Sequence, residues 1–175
     1  MKRLTGLIAV FAVGLVAVGL AVAAANRNWS THANGSMEVP VRDSQGQAQL
    51  ILHLAPDGQS LDYKLIASNI ENVFMAHIHM EAPGVNGPIV VWLYPSTAPV
   101  PLVPPTGPID PGPIAEGTIT AANLTGPLAG HPLADLVSAL DGNRAYVNLH
   151  TNDGVAPTNT GPGDFPGGEI RGDIR

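Results

Sequence analysis

The run Ala76-His77-Ile78-His79 places two imidazoles two residues apart. On a β-strand such residues share a face, so His77 and His79 project side by side while Ile78 turns to the opposite side. Neutral imidazole is a good ligand for zinc and for copper, and this pair forms two arms of a clamp. The same spacing also serves two ordinary surface or hydrogen-bonded histidines. A third histidine weighs on the choice. His150 ends the run Tyr146-Val147-Asn148-Leu149-His150, where alternation assigns Val147 and Leu149 to a buried face and Tyr146, Asn148 and His150 to the other. If the two strands are neighbours, His77, His79 and His150 make one three-histidine site for copper or zinc, with a position open for water or a small ligand.

A second polar group is formed by Glu169 and Arg171, which share a face of the last strand, with Glu38 as a partner for Arg171. It reads either as a ligand-facing patch or as a charge pair that stabilises the sheet. No Ser-His-Asp order, phosphate-binding loop or pair of catalytic carboxylates stands out, so a hydrolase is unsupported. With no cysteine, the chain has neither a disulfide nor a thiolate metal ligand.

These residues need strands to hold them. Gln47 to Leu54 alternates strictly, Pro56-Asp57-Gly58 is turn chemistry, and Leu61 to Ala67 alternates again, which together read as a β-hairpin. Further short strands are expected over 74–80, 89–94, 114–119, 145–151 and 169–174, each bounded by glycine, proline, asparagine or aspartate. Leu133, Leu136, Val137 and Leu140 instead fall at helical spacing, so a short helix is expected over about 132–141. The fold class is therefore all-β, an immunoglobulin-like antiparallel sandwich or barrel with one short helix. Eight prolines between Tyr94 and Ile114 exclude a central strand there, and 95–113 is expected as an extended loop.

The N-terminal residues bear on location. Lys2 and Arg3 precede an uncharged stretch from Leu4 to Ala25 that ends in three alanines, the order of a Sec-type export signal. Residues 1–25 are expected as a signal peptide, or as an uncleaved anchor since the apolar stretch approaches a bilayer span, and residues 26–35 as a polar tether. Either outcome makes the domain at 36–175 secreted, periplasmic or cell-surface. A net charge of −6 with no basic run argues against nucleic acid as a partner, and against membrane binding beyond the N-terminal segment. The partner expected is a protein or small ligand that the sequence does not specify.

Several motifs occur together and in order. Met37-Glu38-Val39-Pro40, Gly46, Ala76-His77-Ile78-His79, Gly84, Gly87-Pro88-Ile89-Val90-Val91, Tyr146 to Thr151 and Gly167-Gly168-Glu169-Ile170-Arg171-Gly172 are similar to those of the CHRD (chordin) domain, over roughly Asn34 to Arg175. The resemblance implies an immunoglobulin-like barrel or sandwich with a distant likeness to copper/zinc superoxide dismutases. With no catalytic constellation beside these motifs, a non-catalytic binding module is expected ahead of an enzyme; in chordin itself such domains belong to an extracellular antagonist that binds growth factors. A dismutase-like copper oxidoreductase is the first alternative, because His77, His79 and His150 match the positions at which those enzymes hold copper. The match lacks the histidines of a zinc loop and the disulfide beside it. The second alternative is a structural or adhesive interaction domain.

Overall fold

In a computed structural model the protein is described over residues 27–96, 107–108 and 112–175. The expected signal segment and most of the proline-rich loop lie outside the described residues. The strands are β1 (Asn28–Asn34), β2 (Gln47–Leu54), β3 (Leu61–Ser68), β4 (Val73–Met80), β5 (Ile89–Tyr94), β6 (Gly112–Ile119), β7 (Ala145–Thr151) and β8 (Ile170–Asp173), with the helix α1 (Leu133–Asp141) between β6 and β7. They form one antiparallel sheet in the order β5-β4-β7-β8-β1-β2-β3-β6. Of the two architectures expected, this is the barrel. The sheet curls until its end strands β5 and β6 approach each other, and the chain after β6 closes the gap through the backbone bond from Thr125 N–H to Val90 O at 2.9 Å.

Alternation explains the inside of the barrel. Leu50, Leu52 and Leu54 of β2, Leu61 and Leu65 of β3, Ile78 of β4, and Val147 and Leu149 of β7 are all buried in one apolar core. Each leucine or isoleucine so buried contributes about 1.5–3 kcal/mol relative to exposure. The β2–β3 hairpin forms with Leu54 opposite Leu61. In α1 the side chains of Leu133, Leu136, Val137 and Leu140 join the core, and Pro132 and Gly142 bound the helix.

Two boundaries differ from expectation. Most of the segment read as a tether is strand β1, paired with β2 along its whole length and with β8 at Asn34. Trp29, Thr31 and Ala33 point inward and Asn28, Ser30 and His32 outward, an alternation obscured because only one of the three inward residues is a large apolar one. The strand after the proline-rich loop begins at Gly112, earlier than Ile114, and includes Pro113. Since β6 ends the strand order, Pro113 withholds no donor that an interior strand would need.

Candidate metal centre

Strands β4, β7 and β8 are consecutive in the sheet, and His77 lies opposite Asn148, His79 opposite Tyr146, and Asn148 opposite Arg171. The alternation that sends Ile78, Val147 and Leu149 inward puts His77, His79, Tyr146, Asn148 and His150 on the outer face of the barrel wall. That face is covered. His77, Tyr146, Asn148 and His150 are all buried, and every residue of β7 is buried on both sides of the sheet.

The cover consists of three loops, 35–46, 81–88 and 152–169, held by polar contacts. From the first, Glu38 accepts from Asn148 Nδ2 at 2.6 Å and from Val39 N–H at 2.9 Å. The second is anchored at Gly87, whose N–H donates to Tyr146 Oη at 3.0 Å and whose carbonyl accepts from His79 Nδ1 at 2.9 Å. From the third, the Pro166 carbonyl accepts from His150 Nδ1 at 2.9 Å. Glycine is required at two of these joints. A Cβ on Gly87 would land on the Met80 carbonyl and Glu81 Cβ, and one on Gly168 (φ +125°) would land on Asn148 Oδ1 and Glu38 Oε2.

These contacts fix the tautomers. His79 and His150 each use Nδ1–H as a donor to a backbone carbonyl, which leaves Nε2 of each as a lone pair. His77 Nδ1 lies 3.2 Å from His150 Nε2, to which it donates when no metal is bound. The Nε2 atoms of His77 and His79 are buried and have no hydrogen-bond partner among the described residues. One ligand atom from each of His77, His79 and His150 lies within 4.8 Å of the others. Two nitrogens on one ion at 2.0–2.1 Å with a tetrahedral angle stand about 3.3 Å apart, close to the His77–His150 separation.

Burial holds all three rings neutral. It drives the pKa of His77 down to about 2, with His150 and His79 adding repulsion, and that of His150 down to about 4 against the opposing bond to Pro166. His79 is lowered too, first by burial and then by the Arg171 charge, despite its bond to Gly87. Neutral imidazoles with free lone pairs are in the state that binds a metal. An orphaned buried polar atom costs roughly 1–3 kcal/mol, and an ion held by Nε2 of His79 would satisfy that one. The donor set therefore fits copper or zinc. The position expected to be open to water is instead closed, since the free nitrogens are shut off from solvent.

The rings around the histidines are tightly set. Trp92, opposite His77 on β5, meets its ring edge-on at 4.2 Å. Tyr146 stacks on His79 at 4.8 Å, and the Arg171 guanidinium lies 3.5 Å from the Tyr146 ring. Because β7 lies between β4 and β8, Tyr146 is sandwiched between the imidazole and the cation.

Glu38, Glu169 and Arg171 are all buried, but they do not form the charge pair expected. The Arg171 fork is taken by Val85 O at 3.0 Å, Asn86 Oδ1 at 3.2 Å and Asp173 at 3.4 Å, so Glu38 acts on it only through charge at longer range. Glu169 ties two loops, accepting from Ser44 Oγ at 2.5 Å, Thr151 Oγ1 at 2.5 Å and Gly163 N–H at 2.8 Å. Sequence reasoning also missed Trp92 and the part played by Gly87. The Trp92 side chain alternates with Val91 and Leu93, so its place on the outer face was available from periodicity.

An all-β barrel with a covered polar outer face is the class this architecture defines. The chain belongs to the CHRD domain family, whose model matches residues 29–174. No curated protein and no solved structure matches it.

Proposed function

We propose that this protein is an exported, non-catalytic binding module that holds one copper or zinc ion on His77, His79 and His150. The observation that carries the reading is the convergence of three neutral imidazoles, two with buried nitrogens that nothing else satisfies. Bound there, the ion would cross-link β4 and β7 through their histidines. The chain's own residues orient the rings: Gly87 and Pro166 fix two of them through their carbonyls. Export is supported by the basic, apolar and small-residue order of residues 1–25, and CHRD domains are typically extracellular.

Metal analysis of protein prepared without a histidine tag tests the reading, with the His77→Ala, His79→Ala double variant alongside. One equivalent of copper or zinc is expected in the first and none in the second, with circular dichroism showing that the variant is folded. Equal metal content in both would discard the site. Superoxide turnover above that of free copper would replace the binding reading with an enzymatic one.

A further inference from the structure

We infer that the ion this site selects is monovalent copper, and that Met75 supplies a thioether beside the three histidines. The inference rests on the proposed metal site and adds its charge state and a fourth donor. Met75 lies directly opposite His150 in the β4–β7 register, two residues from His77 and four from His79. Directly opposed residues in an antiparallel pair have Cβ atoms about 4.5–5.5 Å apart on one face. Met75 therefore shares the histidine face. The register shift between Val73 and Met75 leaves Phe74 without a partner in the ladder, and its ring stands 6.4 Å from that of His150. Met75 is half-buried, yet it does not pack on the barrel core, whereas Met80 at the end of the same strand does. A flexible thioether on the histidine face that is not used by the core is free to serve the site.

The charge balance points the same way. All three imidazoles are neutral donors, and no carboxylate belongs to the group whose ligand atoms converge. The Glu38 carboxylate is engaged by Asn148 and Val39 and lies within range of Arg171 and Arg42, and the Arg171 cation reaches the site through the Tyr146–His79 stack. A divalent ion would bring two uncompensated charges into a site closed to water, and the cost of burying charge grows as its square. A monovalent ion brings one. Three nitrogens with a neutral thioether suit cuprous copper, while the usual ligands of zinc are thiolate, imidazole and carboxylate.

The test is a competition titration of cuprous ion against bicinchoninate without oxygen, beside a zinc titration against a chromophoric chelator. It uses the wild type, Met75→Leu and the double histidine variant. Met and Leu are close in volume, so Met75→Leu is expected to fold, and a thermal melt verifies it. The wild type is expected to bind one cuprous ion more tightly than zinc. Met75→Leu should weaken cuprous binding about 10–100-fold, the range for a supporting ligand, and leave zinc affinity within a few-fold. Tighter binding of zinc than of cuprous ion, or a Met75→Leu variant with unchanged cuprous affinity, overturns the inference while leaving the histidine site standing. No binding of either metal, or equal binding by the double histidine variant, overturns both.

Discussion

Strands β2 and β7 each lie between two neighbours in the same sheet and each send leucines or valines into the same core, yet their outer faces have nothing in common. On β2 the outward residues Gln47, Gln49 and Ile51 meet solvent, and the outward His53 is half-buried against Asn28. On β7 the outward residues Tyr146, Asn148 and His150 are covered by loops. The inner faces show what the fold requires. The outer faces show that the loops on the β7 side form a second layer whose interior is polar, an arrangement that costs free energy unless every group finds a partner. Stability alone would have been served by leaving β7 as bare as β2.

The largest effect that separates the two faces is expected at Glu169. Replacing it by Ala removes a carboxylate that is 1% exposed and takes the acceptor from three donors, two on loops and one at the end of β7. A loss of about 3–5 kcal/mol is expected in urea unfolding, against less than about 0.5 kcal/mol for Gln49→Ala on the exposed β2 face. Similar values at both positions would mean that the covered layer is not part of the cooperative fold.

Next comes Gly87→Ala, which acts on ring positioning as well as on stability. The added methyl must displace the Met80 carbonyl or Glu81, and with them the oxygen that holds His79 Nδ1 and the amide that holds Tyr146. A stability loss of about 1–3 kcal/mol is expected, with metal affinity falling about 10–100-fold. Unfolding curves and competition titrations on one sample measure both. Unchanged affinity despite lost stability would show that the 81–88 loop only covers the site.

The metal-free protein should also be acid-sensitive through this face. His77 and His150 have pKa values in the folded state, about 2 and about 4, below the ordinary value of 6.5. Below pH 6.5 the unfolded chain takes up protons that the folded chain refuses, so stability falls as pH falls. Each of the two histidines weakens folding about tenfold per pH unit down to about pH 4, and His77 continues to do so below that. Urea midpoints at pH 7, 6 and 5 measure the slope, and His77→Gln should reduce it by one histidine's share. A flat profile between pH 7 and 5 would mean that the folded rings take up protons as readily as the unfolded ones, and that the covered layer does not hold them neutral.

The legible parts of this molecule are those governed by period two. Leu50, Leu52 and Leu54, and Val147 with Leu149, announce which way their strands face, and that alone puts His77, His79 and His150 on matching faces. The spacing of Leu133, Leu136, Val137 and Leu140 likewise gives α1. Which strands are neighbours is a tertiary fact. The pairing of β4 with β7 joins residues more than sixty positions apart, and no local pattern encodes it. β1 escaped because Asn28, Ser30, Thr31 and His32 have turn-like or polar chemistry that masks a strand completed by pairing with β2. The closure over the histidines was illegible for a different reason. It depends on single carbonyls, those of Gly87 and Pro166, and backbone groups have no sequence signature.

The smallest effect is expected where the same residue type sits on the bare side of the barrel. His32 is exposed on β1, and the half-buried His53 on β2 makes its side-chain hydrogen bond to the exposed Asn28. His32→Ala and His53→Ala should each change stability by less than about 0.5 kcal/mol and leave the bound metal at one equivalent. All of these histidines project outward from strands of one sheet, so the identity of the side chain and its place on a strand are held constant. What differs is the loop layer, which shuts out water, fixes the ring tautomers and leaves lone pairs facing one another. If His53→Ala lowered the metal content, the metal would be bound by exposed imidazoles in general, and the covered face would lose its claim to be the site.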